Sequence, residues 1–200
     1  LNLSNRCRVV ELKEACYSGT AGLQLAAAQV CHTHHATKAL VIASDVARYD
    51  LGSPGEPTQG CGAVAMLVTD NPRIMALDPE AGFHASDVMD FWRPNYMDEA
   101  LVDGKYSIKV YLRALAESWK GYHTESGRSY GDCDRFCCHL PVTRMAEKAH
   151  RRLAHVAGAT ALDAGALHAR HADSLAYNRI NGNSYTASLY VGLASMLDTC

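Results

Sequence analysis

The chain has 200 residues, is 48% hydrophobic and 20% charged, and carries a formal net charge of −2. That composition describes a globular chain and excludes a disordered one, and the near-neutral balance leaves no basic stripe for nucleic acid. The apolar runs are too short to cross a bilayer, and no basic n-region precedes an apolar block as in a secretory leader.

In chain order, residues 8–12 read as a short strand leading into a turn that carries Cys16. Residues 20–31 follow as a helix that is apolar nearly all round, hence buried. A cysteine just before a helix meets the positive end of the macrodipole and unpaired N–H groups, which favour thiolate and suit an oxyanion. The plainer fate of such a cysteine is a buried structural side chain. Residues 39–44 form a continuous apolar run expected of a strand covered on both faces, residues 45–59 a Gly- and Pro-rich loop, and residues 61–68 and 73–77 two more strands.

Residues 78–106 read as irregular. Ile108, Tyr111, Leu112, Leu115 and Trp119 mark a helix over 107–122, with Ser107 as its N-cap. Residues 136–139 read as a short strand or turn, and Pro141 starts a helix that runs to about Val156. Residues 154–172 are the least structured-looking part, and residues 184–197 form a last buried helix. Strands alternating with buried helices give an α/β layered class.

Of the eight cysteines none forms a CxxC pair, so free thiols in a reducing cytoplasm are expected. Two clusters raise a metal site, Cys31-His32-Thr33-His34-His35 and Cys133 with Cys137-Cys138-His139, and neither has zinc-site spacing. A nucleophilic cysteine needs a histidine partner, and His139, at a strand end before a proline, is the best placed. For His84, His123, His150, His155, His168 and His171 a solvated surface position is the expectation. Arg144 and Lys148 lie one helical turn apart and suit a phosphate-bearing ligand, or else form an ordinary solvated face. Asn183, after an Asn-Gly turn, either caps a helix or aims an amide at a substrate carbonyl.

Seven blocks in order resemble the hydroxymethylglutaryl-CoA synthase family of thiolase-fold condensing enzymes. They are residues 11–20 (ELKEACYSGT), 39–50 (ALVIASDVARYD), 55–68 (GEPTQGCGAVAMLV), 90–94 (DFWRP), 101–107 (LVDGKYS), 139–148 (HLPVTRMAEK) and 182–190 (GNSYTASLY). The resemblance implies a thiolase-like layered αβαβα architecture, incomplete in this stretch. It reads as an internal part of such an enzyme, with a cysteine-nucleophile half over about 1–75 and a His/Asn-bearing half over about 76–200. It makes Cys16 the acyl-carrying nucleophile, His139 the residue that holds the acetoacetyl acceptor, and Asn183 a substrate contact. Thr58, Ser107, Arg144 and Lys148 would line the thioester tunnel, with Arg144 standing where the family often has lysine. The family's general-base glutamate would fall before Leu1 and its glycine-rich oxyanion segment after Cys200, so these residues alone would be inactive.

The implied reaction condenses an acetyl group held on Cys16 with an acetoacetyl thioester to give 3-hydroxy-3-methylglutaryl-CoA. It needs no metal and no redox cofactor. The implied partners are small-molecule thioesters, without nucleic acid or membrane, in a cytoplasmic homodimer. A related reading puts the substrate on an acyl carrier protein in polyketide β-branching, and a non-enzymatic metal-binding module is the remaining alternative. A ketoacyl synthase, which shares the fold and the cysteine, would need a second active-site histidine in a comparable setting.

Overall fold

The computed structural model describes residues 4–33 and 37–199. His34 and His35 of the first candidate metal cluster, and Cys200, lie outside the described residues.

A tight 3₁₀ turn, Ala15–Tyr17, leads into helix α1, Ser18–His32. Strands β1, Ala39–Ala47, and β2, Gly60–Val68, pair antiparallel, with Ala39 opposite Val68 and Ala47 opposite Gly60. A two-residue ladder of β3, Phe91–Trp92, and β4, Leu101–Val102, closes the aromatic loop. Five helices follow: α2 Gly104–Ser126, α3 Arg144–Val156, α4 Ala164–Ala169, α5 Ala176–Asn181 and α6 Ser188–Thr199. Another 3₁₀ turn, Tyr185–Ala187, precedes α6.

The β1–β2 sheet carries its core on one face only. Ala43 packs with Ala187, Tyr190 and Val191 of the α6 region, while Leu23 of α1 and Val64 and Met66 of β2 complete the cluster. The other face presents Leu40, Ile42, Val46 and Leu67 to solvent among the described residues. The apolar run over 39–44 is therefore a strand, but it is covered on one side rather than two. A second core joins Tyr130, Leu153 and Ala154 with Leu115 and Trp119 of α2 and Phe136. A small third one holds Leu140 against Ala146 and Leu175.

Several boundaries moved for physical reasons. Residues 8–12 and 73–77 form no strand among the described residues. Helix α1 buries only Gly19, Ala26 and Val30 and leaves Leu25 exposed, because a single sheet face receives it. The N-cap of α2 is Asp103, whose carboxylate accepts from Tyr106 N–H at 3.1 Å, so Ser107 sits inside the first turn instead of capping it. Helix α3 begins at Arg144, three residues after Pro141, and ends at Val156 as its apolar stripe requires. The stretch over 154–172, expected to be the least structured, contains α4, capped by Asp163 through Ala166 N–H at 2.8 Å.

Candidate active site

Cys16 lies in the middle of its 3₁₀ turn, half-buried. The turn opens on Ala15 at φ +46°, a left-handed conformation that a side chain adopts only under constraint. Ser18 supplies part of that constraint: its hydroxyl accepts from Glu14 N–H at 2.6 Å and donates to the Ala15 carbonyl at 3.0 Å. Burial pushes the Cys16 thiol up to about 12, the Asp45 carboxylate at the end of β1 adds to this, and the residue's own backbone N–H opposes it. The expected thiolate is therefore corrected. Cys16 precedes the helix by two residues, and burial beside Asp45 outweighs the one opposing contribution, from its own backbone N–H.

The amides expected to serve as an oxyanion site are also engaged. Tyr17 N–H donates to Glu14 O, Ser18 N–H to Ala15 O, and Gly19 N–H to the Thr186 hydroxyl at 2.6 Å.

Asn183 is buried beside this turn's neighbour. Its N–H donates to Thr58 O at 2.9 Å, and its side-chain Oδ1 accepts from Tyr185 N–H at 2.9 Å. The amide oxygen thus shapes the turn that opens on Tyr185, the second left-handed non-glycine residue, at φ +42°. The junction between Thr58 and Asn183 is backbone on backbone: a Cβ at Gly60 would meet Asn181 O at 1.9 Å, and Gly182 has φ +71°. Tyr185 packs edge-on to Tyr49 and against Phe91, and its phenol is raised by burial first, then by Tyr49, with Cys16 a smaller neighbour. Cys16, Thr58 and Asn183 are therefore brought together, with Asp45, Tyr49, Phe91, Tyr185 and Thr186 around them.

The segment that carries His139 docks at the start of α6. The carbonyl of its neighbour Leu140 accepts from Ser188 Oγ at 2.9 Å, at the start of α6 and directly after the Tyr185 turn. Its own carbonyl accepts from Tyr111 Oη at 3.1 Å on α2. The ring is half-buried, its Nδ1 is sealed without a partner, and burial lowers its pKa to about 4. At neutral pH it is an uncharged imidazole with one N–H to donate.

Ser107 is half-buried in the first turn of α2. Arg144 and Lys148 stand exposed, one turn apart on α3, without an ion-pair partner among the described residues. They begin five residues beyond His139 and do not join the cluster at Cys16.

Two histidines expected on the surface are in the core. His150 and His171 are 0% and 1% exposed, and their Nδ1 atoms lie 2.9 Å apart. Leu167 O, 3.0 Å from His171 Nδ1, can only accept, so that nitrogen carries the proton. His150 Nδ1 then accepts, and His150 Nε2–H donates to Tyr130 Oη at 2.6 Å. The guanidinium of Arg170, 4.5 Å over the Tyr130 ring, covers this network. Sequence reasoning missed it because α3 looks polar on paper and His171 falls in the stretch expected to be least structured. The spacing of Ala146, Ala149, His150, Leu153 and Ala154 already places His150 on the buried stripe. Among the described residues no three metal-ligating side chains are grouped, and the seven described cysteines are free.

The profile described as hydroxymethylglutaryl-coenzyme A synthase N terminal matches residues 5–73, and the one described as its C terminal matches residues 76–158. The chain belongs to the hydroxymethylglutaryl-CoA synthase family. It is 44% identical over 191 residues to the hydroxymethylglutaryl-CoA synthase of Enterococcus faecalis, covering 96% of this chain and 49% of that protein. Among solved structures it matches MvaS in complex with 3-hydroxy-3-methylglutaryl coenzyme A, with a TM-score of 0.89 at 39% identity over 97% of this chain and 53% of the other. It matches the curacin biosynthetic pathway HMG synthase in complex with acetyl donor-ACP with a TM-score of 0.90 at 36% identity, over 96% and 49%. The chain thus spans about half the length of the relatives it matches. Its fold is the thiolase-like α/β fold of this synthase family, represented in part. No described helix is long and apolar enough to cross a membrane.

Proposed function

We propose that this chain supplies the acyl-carrying half-site of a condensing acyltransferase that makes 3-hydroxy-3-methylglutaryl-CoA from acetyl-CoA and acetoacetyl-CoA. The supporting observation is the junction itself: a half-buried thiol at a strained turn, hydrogen-bonded through Gly19 to the turn that carries Asn183.

Cys16 Sγ attacks the acetyl carbonyl, the Cys16–acyl bond forms, and the carrier thiol leaves. A thiol held near 12 is almost wholly protonated at neutral pH, so its proton departs with the attack and passes to the leaving sulfur. A general base takes a proton from the acetyl methyl group, leaving an enolate whose carbon bonds to the ketone carbon of the acceptor. No carboxylate of this chain is assigned that abstraction. Neutral His139 polarises the ketone by a hydrogen bond from its N–H to the oxygen, which takes up the proton released from the acetyl methyl group and becomes a hydroxyl. Water then cleaves the Cys16 thioester. Asn183 orders the acceptor side, and Thr58 and Ser107 line the arm. Arg144 and Lys148 meet the carrier's phosphates. None of these steps calls for a metal or redox cofactor.

The chain divides in this reading into a nucleophile half over about 1–75 and an acceptor half over about 76–200, within a cytoplasmic homodimer. A second reading keeps the chemistry and puts the substrate on an acyl carrier protein, supported by the 0.90 match to the curacin-pathway structure. The test offers the full-length protein labelled acetyl-CoA and acetylated carrier protein side by side. Label should appear on Cys16 and vanish by at least about a thousandfold in Cys16→Ser, as expected for loss of a nucleophile. Label retained in the variant would remove Cys16 from this role.

A further inference from the structure

A helix leaves its first N–H groups without partners, and a side chain just before it normally caps them. Helix α1 has no such cap: Tyr17 occupies the position, and its hydroxyl donates instead to Gln24 Oε1 at 2.9 Å, further along the helix, leaving the first N–H groups uncapped from there. The Gly19 N–H is met instead from 167 residues away by the Thr186 hydroxyl, at 2.6 Å in a buried setting. The approach depends on glycine, since a Cβ at position 19 would lie 3.0 Å from that oxygen and 2.8 Å from the Tyr190 ring. One residue on, Thr20 Oγ1 and Tyr190 Oη are 2.8 Å apart, a second tie from α1, this one to α6.

Strained backbone stands near each end of the Gly19–Thr186 bond. On one side it enters the helix that starts two residues after Cys16, downstream of Ala15 at φ +46°. On the other it leaves the turn opened by Tyr185 at φ +42° and held by Asn183 Oδ1. The two left-handed non-glycine residues among the described residues thus flank one hydrogen bond, and strained backbone persists only where its surroundings over-determine it.

We infer that Thr186 is a positioning residue for the nucleophile: as the remote cap of α1, its hydroxyl sets the seat of Cys16 relative to the Asn183 turn. The inference rests on Cys16 being the nucleophile. Thr186 touches no reacting atom and acts through Gly19 and the Cys16 turn.

The experiment is single-turnover acetylation of the full-length protein by labelled acetyl-CoA, with the rate constant expressed per titratable Cys16. Thr186→Val, which keeps the volume and removes the acceptor, should slow acetylation by about 10- to 100-fold, the size of effect a misplaced nucleophile produces. The KM for acetyl-CoA should stay within about twofold, because the thioester contacts are untouched. Thr186→Ser, which keeps the hydroxyl, should return the rate to within about threefold of the parent. Thr186→Ala should be as slow as Thr186→Val, and it carries the test if the valine variant does not fold. A purely structural threonine would give fewer titratable sites and a lower Tm with an unchanged rate per site, and that result overturns the inference. So does Thr186→Ser as slow as Thr186→Val. Cys16→Ser in the same assay separates the two claims. Persistent label there defeats the nucleophile, whereas label lost there with a normal Thr186→Val defeats only the positioning role.

Discussion

The surroundings of His139 and of His150 start from the same physics and end differently. In both places burial lowers the imidazole to about 4, so both rings are neutral at physiological pH. His150 is 0% exposed, both its nitrogens are occupied, and its bonds run to Tyr130 and His171. His139 keeps an accessible edge, its Nδ1 has no partner, and only its backbone is tied down, through Tyr111 and the neighbouring Leu140. A depressed basicity therefore does not separate a reactive histidine from a packed one. What separates them is whether the ring's hydrogen-bonding capacity is already used.

The comparison can be broken in order of effect. His139→Ala should slow condensation by roughly 10²–10⁴-fold, the usual weight of a proton donor, with little change in Tm. Acetylation of Cys16 should persist, and equal loss of both steps would move His139 to cysteine activation. For the buried pair the readout is stability against pH. The folded His150 lies near 4 and the unfolded one near 6.5, so the unfolded state binds more protons between these values. Stability should be fully present above about pH 6.5 and fall as pH drops toward 4, by on the order of 3 kcal/mol for His150. The lowered His171 acts in the same direction. Urea midpoints across that range check the sign, and a flat profile would mean that the pair takes up protons as readily in the folded protein as in the unfolded chain.

Tyr130→Phe removes the partner of His150 Nε2 and should cost about 1–3 kcal/mol, with normal acetylation per folded molecule. Reduced turnover at unchanged stability would instead tie the pair to the reaction. The smallest effect belongs to the exposed cations. Arg144→Ala with Lys148→Ala should raise the KM for the thioester several-fold and leave kcat nearly unchanged, as for binding common to ground and transition states. Unchanged KM would return them to an ordinary solvated face.

The long periodic elements were legible in the sequence. The stripe Ile108, Tyr111, Leu115, Trp119 is a helix, and the β1 and β2 runs are strands, because their side-chain period fixes their state locally. The ordered blocks around Cys16, His139 and Asn183 identified the family. What was not legible depends on contacts remote in sequence. The one-sided covering of β1, the high thiol of Cys16 beside Asp45, and the engagement of Gly19 N–H by Thr186 need the tertiary fold. His150 and His171 show the same limit, since a polar residue type says nothing about whether a partner waits in the core.

Gly60 and Gly182 give the site an unusual kind of inheritance. The strand that starts β2 and the turn that carries Asn183 meet through main chain alone, with Asn181 O where the first carbon of any other residue at 60 would stand. Changes in nearby side chains can retune the surroundings of the substrate without disturbing this seam, whereas a single added methyl at position 60 would pry it open. In a saturation screen, alanine at position 60 should therefore score as badly as changes at the chemical residues themselves, although it touches no substrate.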